Sequence, residues 1–223
     1  MESALKTIHL ALPARSEDLA RIEIGSVAYL SGRVFTAREG VYKHAIEDGA
    51  GMPAGKEVLG RVNFHCSPAA SVNSDGSYTV GAVTATASFR FARWLDGWFA
   101  LSGCNIIIGK GGMTSEVYRK SFVPNGAIYL TTVGYGTGAL LGRGISRVAG
   151  VYWLEELGLA QAVWVLDVER FGPFLVESDL AGNSLFEREN AKIAPGLERL
   201  YANTRPATLR RYGETDNKTD EII

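Results

Sequence analysis

The chain has 223 residues, 46% of them hydrophobic and 21% charged, which is the composition of an ordinary globular protein. Lysine and arginine number 23 against 24 acidic residues, and the formal net charge of -1 argues against nucleic acid as a partner. No window reaches the ~18 to 20 uninterrupted apolar residues of a membrane helix, and the N-terminal apolar patch is too broken for a secretion signal. We therefore expect a soluble, cytoplasmic protein with no membrane partner.

The first part of the chain predicts strands and short helices separated by loops. Residues 24–37 are rich in β-branched and aromatic residues and predict strands with a turn. Residues 38–49 predict a short helix that closes on a glycine. Glycine and proline predict loops across 49–75, interrupted by a strand over 57–66. The strand pattern resumes at 77–85.

Strands and helices alternate from residue 80 to residue 150, which is typical of an α/β layer architecture. Aromatic residues at helical spacing predict a helix over 88–103, with Ser88 as its N-cap. The elements that follow are a strand at 105–109, a helix at 114–122, a strand at 127–134, a glycine-loosened helix at 136–145, and strands near 148–156, 162–169 and 173–180. A charged helix begins after Asn183, and the polar stretch that follows it predicts an extended or mobile tail or an arm lying on a partner.

The two cysteines do not form a metal site or a disulfide framework. Cys104 begins an apolar run, and a free cysteine in such a run is usually buried in the core. Cys66 is next to His65, but one cysteine and one histidine are too few ligands for a zinc or iron-sulfur site. We therefore interpret His65 and Cys66 as structural residues and predict no metal ligands in this chain.

Two glycine-rich stretches resemble nucleotide-binding motifs but have the wrong spacing. In the first, Lys110 lies in IIIGKGG, yet the interval from Gly103 to Gly109 is one residue too long for a phosphate loop, and Gly111 replaces the hydroxyl residue. In the second, TTVGYGTGALLGRG, Leu141 occupies the place of the third glycine of a dinucleotide fingerprint. Close helix packing accounts for the glycines of the second stretch, whereas a tight surface turn remains an alternative for the first.

Positively charged residues follow strands at three predicted junctions: Arg38 after VFTA, Arg90 after TATAS, and Lys110 after IIIG. Each alone is most simply a solvated surface charge, because most lysines and arginines are exposed. Together, near strand ends or helix starts, they suit a small substrate with more than one carboxylate. Arginine is suited to this role because its planar guanidinium pairs with a carboxylate through two hydrogen bonds.

These motifs occur in an order that resembles a known family. The chain is similar to the β subunit of the iron-sulfur hydro-lyases, class I fumarase and L(+)-tartrate dehydratase, over about residues 15 to 190. The ordered set is more specific than any single motif. The stretches that carry it are SGRVFTAREGVYKH (31–44), NFHCSP (63–68), VGAVTATASFRF (80–91), IIIGKGGM (106–113) and WVLDVERFGPFLVESDLAGNSLFE (164–187).

The resemblance implies a swivelling β/β/α three-layer domain over residues 1–190, followed by a C-terminal helix and polar tail over 191–223. It also implies a hetero-oligomer in which a separate α subunit holds a [4Fe-4S] cluster. This chain cannot hold the cluster alone, since three cysteine thiolates must reach it. The family's run G-P-T-T-S-x-R appears here with Ala85 in place of the proline and Ala87 in place of the second threonine, which puts the local turn and the substrate choice in question.

By the same resemblance, Arg38, Arg90 and Lys110 hold the carboxylates of a small dicarboxylate, and Thr86 is the catalytic residue beside the carbon that loses its proton. Fixed cations suit an elimination in which negative charge develops next to a carboxylate. We expect a hydro-lyase that acts on L-tartrate, or on malate and fumarate. The alternatives are a non-catalytic dicarboxylate-binding or assembly module of the same fold, and a nucleotide-dependent oxidoreductase that rests only on the misspaced glycines. A threonine hydroxyl is a weak base, so a structural role for Thr86 at the start of the helix also stays open.

Overall fold

The computed structural model describes residues 5–202. Its strands are β1 Thr7–Ala11, β2 Val27–Thr36, β3 Val62–Phe64, β4 Cys66–Val72, β5 Tyr78–Ala85, β6 Ile106–Gly109, β7 Ile128–Thr132, β8 Ile145–Tyr152 and β9 Val163–Ser178. Its α-helices are α1 Ser16–Leu19, α2 Glu39–Tyr42, α3 Lys56–Leu59, α4 Leu95–Ser102, α5 Ser115–Val117, α6 Gly138–Arg143, α7 Leu154–Leu157 and α8 Leu185–Tyr201. Two π-helical turns, Lys43–Glu47 and Tyr118–Phe122, extend α2 and α5, and 3-10 turns cover Ser88–Trp94, Val123–Asn125 and Tyr135–Thr137.

The main sheet closes on itself. Strands β2, β3, β6 and β7 are parallel neighbours, and the long strand β9 pairs antiparallel with both β7 and β2. These five strands form a barrel-like ring, with β1 and β8 added outside it, while β4 and β5 form a separate hairpin. The predicted α/β class is confirmed, but because the sheet closes in this way the three-layer β/β/α arrangement is not.

Glycine allows β9 to close the ring. Gly172 has φ +156, and a Cβ at this position would lie 2.7 Å from the carbonyl oxygen of Ala28 in β2. The backbones of the two strands therefore approach closely at Gly172, which a side chain would prevent. We predicted two strands at 162–169 and 173–180, whereas the structure has the single 16-residue strand β9.

Several other sequence predictions need correction. Residues 24–37 form one strand, β2, rather than two, and β1 was not predicted. The strand predicted over 57–66 is helix α3 followed by β3, with Gly60 (φ +83) between them. The predicted helix over 88–103 is a 3-10 turn that continues into α4, and its N-cap is Ala87 rather than Ser88.

The two faces of the sheet are buried by different residues. In β6, Ile106 and Ile108 pack in one hydrophobic cluster and Ile107 packs in the other, as the alternation of side chains along a strand requires. The cluster of Ile107 includes side chains of the surrounding helices, among them the fully buried Trp98 of α4. Burial of a side chain of this size contributes roughly 3 kcal/mol to folding.

Helix α6 packs directly on the hairpin strand β5. A Cβ on Gly138 would lie 2.7 Å from the carbonyl oxygen of Val83, and one on Gly142 would overlap the carbonyl oxygen of Gly81. These glycines therefore provide close helix packing, as the sequence indicated, and not a nucleotide site. No helix among residues 5–202 is long and apolar enough to cross a membrane.

Contacts divide the chain after Phe186 into a first unit and a second unit, residues 187–223. Within the second unit, the described part of α8 is charged, and Lys192 Nζ binds Glu189 at 2.9 Å. The predicted polar tail lies outside the described residues from position 203 onward.

Candidate functional site

The carboxyl ends of parallel strands meet at one edge of the barrel, and a short segment of chain is inserted there. The Thr86 amide donates to the His65 carbonyl oxygen after β3 at 2.7 Å, and the Lys110 amide after β6 donates to the Thr86 carbonyl oxygen at 3.1 Å. The Ser88 amide then donates to the Lys110 carbonyl oxygen at 3.3 Å. Residues 86–88 therefore bridge β3 and β6 at the carboxyl ends of the parallel strands, which is the side on which α/β proteins bind their ligands.

Arg38 lies at the same edge, after β2, as the N-cap of α2. Its side chain is half-buried, and one Nη donates to the Ala160 carbonyl oxygen at 3.1 Å. The Nε is buried without a hydrogen-bond partner, and Arg38 forms no ion pair with any acidic residue among the described ones. A guanidinium in this state has donors and charge left to pair with an anion.

Arg90 is joined to the same region through Glu39, the residue after Arg38. Arg90 Nη2 and Glu39 Oε2 are 3.2 Å apart, and Lys43 Nζ lies 3.0 Å from the other oxygen of that carboxylate. Lys43, and then Arg90, hold the pKa of Glu39 below its usual value. Arg90 uses one terminal nitrogen in this pair, and its side chain is about half exposed (49%).

Thr86 and Lys110 complete the set. Thr86 is 8% exposed, whereas Lys110 is exposed and lines two small cavities of about 140 and 250 Å³. Thr84, Thr132 and Thr137 contribute hydroxyl groups to the smaller cavity. Both volumes lie below the ~300 Å³ at which pockets for drug-sized ligands begin, so they fit only a small molecule.

A larger cavity of about 510 Å³ lies elsewhere, between the end of β1 and the start of β3. Two of its charged residues form an ion pair, with Arg33 Nε 2.8 Å from Asp167 Oδ1, and Arg61 Nε donates to the Gly103 carbonyl oxygen at 3.0 Å. None of the residues that the family resemblance assigns to the substrate lines this cavity. We therefore assign the candidate site to the strand edge with Arg38 and Lys110, although the two cavities that Lys110 lines are smaller and neither is lined by Arg38, Thr86 or Arg90.

The loop after β6 is supported from behind by a buried carboxyl group. Glu177 of β9 accepts a hydrogen bond from Ser184 Oγ at 2.6 Å, and a Cβ on Gly112 would lie 3.1 Å from its Cδ. Tyr118 Oη accepts a hydrogen bond from the Met113 amide at 2.9 Å. Burial raises the pKa of Glu177, which favours its neutral form against the loop.

A chain of buried polar side chains lies beneath residues 86–88. Asn63 Nδ2 donates to Tyr42 Oη at 3.0 Å, and Tyr42 Oη lies 2.7 Å from His65 Nε2. On the other side of the ring, His65 Nδ1 lies 2.7 Å from Ser88 Oγ, which also accepts a hydrogen bond from Tyr129 Oη at 2.7 Å. All five side chains are 0% exposed. We call them the buried polar network.

His65 is neutral in the fold, and this has a measurable effect on stability. Burial lowers the pKa of His65 from 6.5 to about 3. The unfolded chain therefore binds a proton below pH 6.5 that the folded chain does not bind, so stability rises with pH between about 3 and 6.5. We expect this residue to contribute up to ~1.4 kcal/mol per pH unit in that range.

The comparison that isolates this contribution is urea unfolding of the wild type and of His65→Gln at several pH values. Below pH 6.5, the free energy of unfolding should fall more steeply in the wild type than in the variant. Both proteins keep Glu177, so its opposite contribution cancels. Parallel curves would show that His65 is not held neutral.

The cysteines do not form a cluster site. Cys66 and Cys104 are both buried, and burial raises the pKa of both thiols, that of Cys104 to about 11. Among the described residues, no group of three or more histidine, cysteine, aspartate or glutamate side chains could hold a metal ion. A protonated thiol does not ligate iron. The residues present therefore do not fit an iron-sulfur cluster, and the structural interpretation of His65 and Cys66 is consistent with their burial.

Sequence reasoning identified the exposed part of the edge and missed the buried part. Ser88 was interpreted as a helix cap because serine is common at helix starts, and His65 was interpreted only as a core residue. The missed signal lies in VNFH, because asparagine and histidine in an otherwise apolar strand must find buried partners. Those partners come from positions distant in sequence, so no local pattern identifies them.

Comparison with known proteins gives a consistent result. Residues 1–189 match the model of the fumarase C-terminus family. The chain is 34% identical over 189 residues to a protein named putative L(+)-tartrate dehydratase subunit beta from Methanocaldococcus jannaschii, covering 82% of this chain and 93% of that one. It is 31% identical to L(+)-tartrate dehydratase subunit beta of Escherichia coli K12, covering 82% and 88%. It is 24% identical to mitochondrial fumarate hydratase 1 of Leishmania major, covering 83% of this chain and 33% of that protein.

Proposed function

The chain belongs to the fumarase C-terminus family, and from this membership we propose that it is the β subunit of a hydro-lyase acting on a four-carbon hydroxy-dicarboxylate. The reaction removes water from L-tartrate to give oxaloacetate, or interconverts malate and fumarate. One observation carries the proposal: the elements that bear Arg38, Thr86, Arg90 and Lys110 meet at one edge of the barrel.

In this proposal, Arg38, Arg90 and Lys110 hold the two carboxylates. Arg38 supports this role because its charge is not balanced by an acidic partner among the described residues. Arg90 contributes the nitrogens that Glu39 does not use. Fixed positive charge around the diacid stabilises the negative charge that develops when the carbon next to a carboxylate loses its proton.

Thr86 is proposed to lie beside that carbon. Its backbone amide and carbonyl are both hydrogen-bonded, at 2.7 Å to His65 and 3.1 Å to Lys110, so its position is fixed from two sides. The reaction balances as the loss of one proton and one hydroxide from adjacent carbons, released together as water. A hydroxyl group is a poor base unless its environment activates it, so Thr86 depends on how precisely it is positioned.

The proposal assigns the [4Fe-4S] cluster to a separate α subunit. The buried, protonated thiols of this chain do not fit a cluster, and a partner is therefore required. The subunit names of the relatives support such a heteromer. We further propose a swivelling β/β/α domain over residues 1–190 with a helix and tail over 191–223, in a cytoplasmic enzyme whose two cysteines stay reduced.

Tartrate is the favoured substrate within this class. The relatives named for L(+)-tartrate are 30–34% identical to this chain, against 24% for the fumarate hydratase. The hydroxyl groups of Thr84, Thr132 and Thr137 beside Lys110 also suit a substrate with two hydroxyl groups. A site that hydrogen-bonds a substrate hydroxyl discriminates strongly against an analogue that lacks it.

The test is anaerobic co-expression with an α subunit of this family that carries three separated cysteines, followed by assays with L-tartrate, malate and fumarate. We expect turnover by the complex, fastest with L-tartrate, and none by this chain alone. Diacid binding without turnover by the cluster-loaded complex would instead support a non-catalytic module, for which Ala85 and Ala87 are the motivating substitutions. Absence of both diacid binding and turnover would contradict the proposal.

A further inference from the structure

Ser88 connects the strand edge that carries the candidate site to the buried polar network beneath it. Its amide donates to the Lys110 carbonyl oxygen at 3.3 Å, so its backbone belongs to the edge. Its hydroxyl points the opposite way, into the core, and accepts a hydrogen bond from Tyr129 Oη at 2.7 Å. The residue is 0% exposed, so this hydroxyl is not a solvated surface group.

His65 holds the same segment through both its backbone and its ring. Its carbonyl oxygen accepts from the Thr86 amide at 2.7 Å, and its amide donates to the Ile108 carbonyl oxygen at 2.8 Å. Its ring lies between Tyr42 Oη and Ser88 Oγ, each at 2.7 Å. A neutral imidazole donates at one nitrogen and accepts at the other, so one ring bonds both hydroxyl groups, donating to one and accepting from the other.

The network controls a short stretch of chain that carries two proposed site residues. Ser88 is two residues from Thr86 and two from Arg90, so a rotation about Ser88 moves both. Phe91 packs edge-on against His65 at a centroid distance of 4.7 Å, which closes the network on the side of Arg90. Although Asn63 Oδ1 is buried without a partner, the bonds among His65, Ser88 and Tyr129 link the segment to the core, and buried hydrogen bonds of this kind favour one local conformation.

We propose that His65, Ser88 and Tyr129 are positioning residues that fix the segment Thr86–Arg90 against Lys110 and so set the geometry of the diacid site. The claim that these residues set the geometry of the diacid site rests on the proposed function. The claim that they hold the segment Thr86–Arg90 in place does not. The network residues do not touch the substrate in this proposal. They act through Thr86, Arg90 and Lys110.

The first test measures hydrogen-deuterium exchange of the full chain, with Ser88→Ala and Tyr129→Phe as test variants and Ser102→Ala as matched control. Ser102 is also a buried serine, and its hydroxyl donates to the Trp98 carbonyl oxygen at 2.7 Å within α4. Exchange of the Thr86 and Lys110 amides should rise at least about tenfold in both test variants and change less than about twofold in the control. Unchanged exchange at these two amides in Ser88→Ala would overturn the proposal.

The second test measures kcat and KM of the same variants in the complex with the α subunit. Displacement of Arg90 and Thr86 should raise KM for the diacid and lower kcat/KM by about 10- to 100-fold, since misplacement by about 1 Å has this effect. A purely structural defect reduces the folded fraction and lowers kcat without changing KM, which would overturn the proposal. Absence of turnover in the wild-type complex would contradict the proposed function, and the exchange result would still decide whether the network holds the segment.

Discussion

Replacing Arg90 with alanine is expected to lower kcat/KM for the four-carbon diacid by about 100-fold or more, which is the usual effect of removing one group that stabilises developing charge. The structure adds a second reason. Glu39 is 3.2 Å from Arg90 and keeps Lys43 as its cationic partner when Arg90 is removed. The carboxylate oxygen that Arg90 neutralised then repels the carboxylates of the substrate.

Arg93→Ala is the matched control for this variant. Arg93 lies on the same 3-10 turn, lies 3.9 Å from Glu47, and stacks on Trp94 with its guanidinium carbon 4.0 Å from the ring centroid. It has the same charge and is even more exposed, so a general electrostatic effect would act on both variants. We expect kcat/KM of Arg93→Ala to stay within about threefold of the wild type, because exposed ion pairs contribute little. Equal losses in the two variants would contradict a specific role for Arg90.

Glu39→Gln separates two roles of Arg90, its ion pair with Glu39 and its binding of a substrate carboxylate. This substitution removes the charge that Arg90 is paired with while leaving the guanidinium in place. If Arg90 binds a carboxylate, KM should fall or stay unchanged in Glu39→Gln and rise in Arg90→Ala. A similar rise of KM in both variants would mean that the ion pair itself, rather than a free guanidinium, is what the site requires.

The sequence was sufficient to predict where the exposed residues of the candidate site lie relative to the strands. A charged residue directly after an apolar strand can be recognised in the sequence, and parallel strands bring their carboxyl ends to one edge of the sheet. Arg38 and Lys110 are therefore located by strand pattern alone. Arg90 was grouped with them by the same pattern, whereas Thr86 was added by the family resemblance.

The closed barrel and the buried polar network could not be predicted in the same way. Ring closure depends on the pairing of β9 with β2, which are separated by more than a hundred residues along the chain. The residues around Gly172 were interpreted as a break between two strands, because glycine and proline usually end a strand. Ser88 was assigned to a helix cap because a local preference was visible, while its partners are distant in sequence: His65 directly follows β3 and Tyr129 lies in β7.

The first glycine of IIIGKGG, Gly109, has a structural explanation that differs from anion binding. A Cβ on Gly109 would overlap Ser88 Oγ and lie 2.7 Å from Tyr129 Oη. The position is glycine because the network hydroxyls occupy the space of its side chain. We therefore expect Gly109→Ala to lower the free energy of unfolding by about 3 kcal/mol, since it both overpacks the core and breaks buried hydrogen bonds.

The same geometry predicts a partial rescue. In a Ser88→Gly background, the atom that overlaps the new methyl group is absent, and only the contact with Tyr129 remains. Gly109→Ala should then cost less than half of what it costs in the wild-type chain, giving a coupling of at least ~1.5 kcal/mol in a double-mutant cycle. Gly136→Ala is the control, because a Cβ there meets nothing within 4 Å. An additive result would mean that the side chains at positions 109 and 88 do not compete for the same space. It would contradict a direct contact between the stretches VGAVTATASFRF and IIIGKGGM.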